Sequence, residues 1–185
     1  LMMGLAFCAE PIVRLVLTDK WLPCVPFLRI FCITYMFYPI HTANLNAIKA
    51  MGRSDLFLEL EIAKKIVGMT LLLSTMWFGV MAMAYSLLIS SVTSQIINSW
   101  PNRKLLNYRY LDQLKDILPG IALAIFMGCC VNLVGLLHLS NTLTLLIQIP
   151  MGAVIYIGAS AALHLESYEY LMGMIRPVLT KLAGK

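Results

Sequence analysis

Four ionisable side chains, Glu59, Glu61, Lys64 and Lys65, sit close together in an otherwise apolar stretch, the last three of them on one helical face. Charged groups are costly inside a hydrocarbon-length run, so they mark functional candidates there by default. At helical spacing, residues 61, 64, 65, 68, 72 and 75 fall on one stripe. Glu61 precedes Lys64 by three and Lys65 by four, the favoured acid-before-base order. Two depths fit this stripe. If the hydrocarbon begins at Leu56, Lys65 lies about 14 Å deep and needs a watery cavity, where both lysines would hold an anionic ligand. If it begins near Ile62, both ammonium groups reach the interface along their alkyl stems.

Further polar groups lie in the neighbouring apolar runs. Arg29 has a head that can grip phosphate oxygens bidentately, either in a cavity or at the outer interface against lipid phosphate. Thr34, Tyr38, His41 and Leu45 share a face, with Asn44 and Asn46 close by. Such a face suits a path lining, although Asn and His also join helices to one another. Pro39 predicts a kink there. The run that follows the lysines is rich in hydroxyls, with Ser91, Ser94 and Asn98 on one stripe. That stripe reads as close helix packing or as a wall facing sugar. Ala124/Gly128 and Gly158/Ala162 are small-residue pairs suited to helix contacts, and Asn132 and Gln148 are expected to be satisfied between helices.

Catalytic signatures are missing. There is no GxSxG, P-loop or HExxH, and His41, His138 and His164 are scattered. The five cysteines form no CxxC or Cys/His ligand spacing, so neither a metal site nor a disulfide framework is expected. Cys129 and Cys130 are expected to fill space in a helix. The sequence calls for no cofactor, and the chain is not expected to be an enzyme.

These residues need long apolar helices to hold them. The 185-residue chain is 60% hydrophobic and 12% charged, with mean hydropathy +0.82. Globular domains average about 45–50% apolar and about 25% charged. A water-soluble enzyme, a disordered tail and a secreted disulfide scaffold are thereby excluded, leaving an all-α polytopic membrane protein. Five complete spans are expected at residues 26–48, 56–81, 82–100, 117–137 and 143–163. The apolar start at Leu1 reads as the end of a sixth, truncated span, as in a C-terminal fragment. Residues 11–21 form an amphipathic outer-surface helix anchored by Trp21, and residues 166–185 a basic amphipathic tail on the inner surface.

The net charge of +5 would suit nucleic acid in a soluble protein. Here, however, the basic residues gather in the breaks between spans. One side of the alternation holds Lys49, Arg53, Lys64, Lys65, Arg103, Lys104, Arg109, Lys115 and the basic tail; the other holds only Arg14, Lys20 and Arg29. By the positive-inside rule the first side, with the C-terminus, is cytoplasmic, and no nucleic-acid partner is implied. The organisation is then a lobe at 1–100, a cytoplasmic link at 101–116, a terminal hairpin at 117–165 and the tail at 166–185.

The stretch Glu10-Pro11-Ile12-Val13-Arg14 through Lys20-Trp21-Leu22-Pro23 resembles the "pi-v-l-l-kW-p" segment of Wzx-type oligosaccharide flippases, a branch of the multidrug/oligosaccharidyl-lipid/polysaccharide superfamily. Asn44-Leu45-Asn46-Ala47 through Gly52-Arg53-Ser54-Asp55 is similar to that family's "n-a-l-a-G-r-d" junction and the long helix after it. The likeness runs over residues 10–119; beyond them only hydropathy and helix count agree. It implies two pseudo-symmetric lobes of about fourteen helices. This chain would supply the later part and its partner would be the missing N-terminal lobe. The implied activity is flipping undecaprenyl-pyrophosphate-linked oligosaccharide across the bacterial cytoplasmic membrane by alternating access, for surface polysaccharide synthesis, beside membrane lipids and glycan polymerases. The family's cationic cavity is matched by position by Arg29, Lys64 and Lys65, with Glu61, His41 and Asn44 as neighbours, and the last two spans would groove the polyprenyl tail. A drug/cation antiporter of the same superfamily, a membrane enzyme of glycan assembly and a non-transporting scaffold are the competing readings.

Overall fold

A computed structural model describes residues 1–105, 110–135, 140–165, 168–170 and 172–175. All regular structure among them is helical. Helix α1 spans Met2–Phe7 and α2 spans Ala9–Val16; a 3-10 segment, Asp19–Cys24, leads into α3 at Val25–Met36. Then come α4 (Tyr38–Ala50), α5 (Ser54–Thr75), α6 (Val80–Leu105), α7 (Tyr110–Gly135) and α8 (Asn141–Ala162).

Among the described residues, four stretches are long and apolar enough to cross a membrane: Asp19–Ala50, Val80–Asn102, Tyr110–Gly135 and Thr142–Ala162. This is the build of a multi-pass membrane protein. The fifth expected span, α5, is 22 residues long, but Glu59, Glu61, Lys64 and Lys65 in its first half keep it below that apolarity. Burial differs from that of a water-soluble fold, with polar side chains inside beside the apolar core and many large apolar ones outside. Asn98, Asn102, Ser86 and Gln95 are buried, whereas Leu58, Ile66, Met69, Trp77 and Phe78 point outward. Outward apolar faces and inward polar ones suit a lipid solvent.

Local chemistry explains the breaks. The kink expected at Pro39 is a true interruption, since α3 ends at Met36 and α4 restarts at Tyr38 with Pro39 in its first turn. Gly52 (φ +70°) and Gly79 (φ +94°) make the tight turns on either side of α5, in a conformation that a Cβ would strain. Arg53 bonds Asp55 at the start of α5 at 3.1 Å, where a carboxylate also favours the positive end of the helix dipole. The amphipathic helix expected at 11–21 stops at Val16, where positive-φ Thr18 (φ +75°) interrupts it before the 3-10 segment; α2 buries Ala9 and Val13 against Val25. Its expected Glu10–Arg14 pair is present at 2.9 Å, and Arg14 also meets Asp19.

Two expected boundaries move. Helix α6 does not stop at Trp100-Pro101 but runs to Leu105, because Asn98 and Asn102, on either side of the proline, are both bonded to α4. Those tertiary bonds hold the turn through the loss of the proline's amide donor. Helix α7 begins at Tyr110, so Pro119 lies inside it rather than at its head; the polar first turns dock through Gln113 on α4. The 101–116 link is therefore helical where described, and 106–109 lie outside the described residues. Most of the 166–185 tail, with Arg176, Lys181 and Lys185, also lies outside them.

The helices pack as two hairpins, α5 with α6 and α7 with α8. Helices α3 and α4 lie along α6, while α1 and α2 bridge to α7 and α8. One core joins Cys8, Met127, Val131 and Leu145. Gly128 allows the α1–α7 contact, since a Cβ there would stand 2.1 Å from the Phe7 ring. Gly158 has open space instead, so the expected Gly158/Ala162 contact is not made. Gln148 does sit between helices, donating to the Val131 carbonyl at 3.0 Å, but Asn132 is exposed. Cys129 likewise lies on the surface rather than filling interior space.

Candidate ligand groove between α4, α5 and α6

Helix α5 presents Glu61, Lys64, Lys65, Gly68, Met69 and Leu72 to one groove. This is the stripe expected from the sequence, with Met69 added and Thr75 left out. His41 of α4 and Ser86, Leu87, Ser90 and Ser94 of α6 supply the other walls of this space of about 380 Å³. The walls approach closely because Gly68 lacks a Cβ; one placed there would stand 3.2 Å from Ser90 Oγ.

Lys64 and Lys65 play different parts. The Lys64 side chain is 8% exposed and its ammonium donates to Glu61 at 2.5 Å. That pairing offsets the desolvation cost of a buried charge. Lys65 is exposed and has no ion-pair partner among the described residues. Two ammonium groups against one carboxylate leave an excess positive charge in the groove. With the serine hydroxyls, this arrangement can hold an anion by charge and by hydrogen bonds.

His41 is oriented from behind, with Asn98 Nδ2 lying 2.7 Å from its Nδ1. In the tautomer that accepts this bond, Nε2 carries the proton and remains to serve the groove. Asn98 is fully buried, and its Oδ1 has no partner among the described residues. Deeper in, Asn44 Nδ2 donates to Gln113 Oε1 at 2.7 Å, and Asn44 Oδ1 accepts from Asn102 Nδ2 at 2.7 Å.

Of the six residues expected at a binding site, Glu61, Lys64, Lys65 and His41 come together. Asn44 does not join them. Both ends of its amide are engaged in tying α4 to α6 and α7, and it lines neither this groove nor its neighbour. Arg29 does not join them either. It is exposed on α3, donates to the Ala6 carbonyl at 3.3 Å, and lines neither this groove nor its neighbour. Of the serine stripe, Ser94 faces the groove while Asn98 anchors His41. The part of Ser86 and Ser90 was not legible from spacing alone, nor was Gln113, a lone amide in a polar segment. Among the described residues no three His, Cys, Asp or Glu side chains converge as metal ligands would.

No family model matches the chain, and no curated protein or solved structure does either.

Proposed function

We propose that this chain forms part of a membrane flippase that moves undecaprenyl-pyrophosphate-linked oligosaccharide across the bacterial cytoplasmic membrane by alternating access, for surface polysaccharide synthesis. The carrying observation is the groove in which α5 sets Lys64 and Lys65 opposite the hydroxyls of α6. The resemblance of residues 10–119 to oligosaccharide flippases supports the same reading.

The physical problem is the head group. A pyrophosphate and its sugars cannot enter hydrocarbon unaided, whereas the polyprenyl tail belongs there. A flippase must offer the head a polar, positive, water-accessible path and leave the tail in lipid. Lys65, which has no ion-pair partner among the described residues, is the cation offered to the pyrophosphate. Lys64, already matched by Glu61, adds positive potential without standing as an isolated buried charge. In this reading α5 is the fifth complete span, its charged half kept wet by the groove, and the C-terminus is cytoplasmic. A drug/cation antiporter would instead favour a net acidic cavity.

The test is surface glycan display in the native cells. Lys65→Ala and the double change Lys64→Ala/Lys65→Ala should each lower display while the protein stays in the membrane fraction. Lys65→Arg should retain most of it. Undiminished export by the double variant would refute the assignment and favour a scaffold.

A further inference from the structure

A second recess lies beside the cationic groove and shares His41, Leu87, Ser90 and Ser94 with it. Its volume is about 220 Å³. We propose that it is a carbohydrate subsite for the sugar ring attached directly to the pyrophosphate. This inference rests on the flippase reading above and names which part of its cargo sits where.

One wall is aromatic. Tyr35 lies in the last turn of α3 and Tyr38 opens α4, so the interruption before Pro39 sets the two rings at an angle rather than in one helical row. Their centroids are 6.4 Å apart at 58°, and the Tyr38 ring lies over His41 at 6.0 Å and 27°. Despite lining a recess, Tyr35 and Tyr38 are 54% and 58% exposed, so much of each ring is uncovered.

The opposite wall is polar. Ser90, Ser91 and Ser94 of α6 face the rings, and Ser91 donates to the Thr34 carbonyl at 3.4 Å. A lipid chain would leave the Ser90 and Ser94 hydroxyls without partners, and a bare ion would leave the rings uncovered. A pyranose satisfies both walls. Its weakly positive C–H face covers the negative face of an aromatic ring, and its hydroxyl edge exchanges hydrogen bonds with the serines. Because His41 and two of the serines belong to both spaces, a ligand bridging them carries its charge on the Lys65 side and its ring on the tyrosine side. That is the chemistry of a glycosyl phosphate or pyrophosphate.

The test uses the purified protein in lipid nanodiscs and two probes: a short-chain prenyl pyrophosphate, and the same molecule bearing one hexosamine on the distal phosphate. The wild type should bind the glycosylated probe about tenfold more tightly, equivalent to about 1.4 kcal/mol. Tyr35→Ala/Tyr38→Ala should abolish that preference and leave the affinity for the bare probe unchanged. Tyr35→Phe/Tyr38→Phe, which keeps the rings, should retain the preference and guards against misfolding. Lys65→Ala should weaken both probes alike. Equal binding of the two probes by the wild type, or a preference that survives loss of both rings, overturns the carbohydrate subsite and leaves the anion groove standing. Insensitivity of both probes to Lys65→Ala overturns the flippase reading beneath it.

Discussion

Because Lys64 is buried and matched by the Glu61 carboxylate, removing the carboxylate strands an ammonium group inside the bundle. Glu61→Gln should therefore cost about 2 kcal/mol, less than the 3–5 of a fully enclosed pair because Glu61 is one-third exposed. Lys64→Met should cost less, since methionine fills similar space and leaves only an acid that is one-third exposed. The double change should recover most of the loss. Apparent melting in detergent measures all three, and a Glu61→Gln midpoint equal to wild type would refute a structural pairing. At the mouth of α5, hydrogen bonding from Arg53, joined by the Leu56 amide, holds the Asp55 carboxyl below its ordinary value. Its stabilising effect is present above the unfolded carboxylate range and is lost as pH falls through the depressed folded value. Arg53→Ala should raise the Asp55 titration midpoint, followed by carbon-13 labelling of aspartate side chains; an unmoved midpoint would argue against the contact.

Helix pairing depends on a few close approaches rather than on amphipathic faces. Gly128→Val should destabilise by about 1–3 kcal/mol, because the Phe7 ring already occupies the space of the new side chain. Adding Phe7→Ala should return part of that loss. Gly158→Ala, which meets open space, should change the melting midpoint little. The α4–α6–α7 junction depends on one amide. Asn44→Ala strips the partner of Gln113 and leaves Asn102 only the longer bond to the residue 44 carbonyl, both side chains being buried, and should cost about 1–3 kcal/mol for each polar group left unpaired. Asn44→Ala that melts like wild type would dismiss the junction as a structural tie. Asn44 and Arg29 show how far spacing can be read. An amide or guanidinium in an apolar run announces a partner, yet a ligand, a lipid phosphate and a neighbouring helix ask for the same residue types.

For the whole chain, orientation is the property most open to direct test. Single cysteines at Ser54 and Ser140, in a background stripped of the five native thiols, should label from opposite sides of the membrane, Ser54 from the cytoplasm. Labelling of both from one side would remove α5 as a span.

Composition alone was enough to recognise an all-helical membrane chain, because hydrocarbon demands long apolar helices whatever their arrangement. Spacing alone put Glu61, Lys64 and Lys65 on a common stripe, because helical periodicity is local. Which helix faced that stripe was not written in any local pattern. The groove arises where Gly68 meets Ser90, where His41 is held by Asn98, and where α6 passes Pro101 under bonds to α4. Each of these joins residues more than twenty positions apart, so only packing in three dimensions chooses among the partners that hydropathy permits.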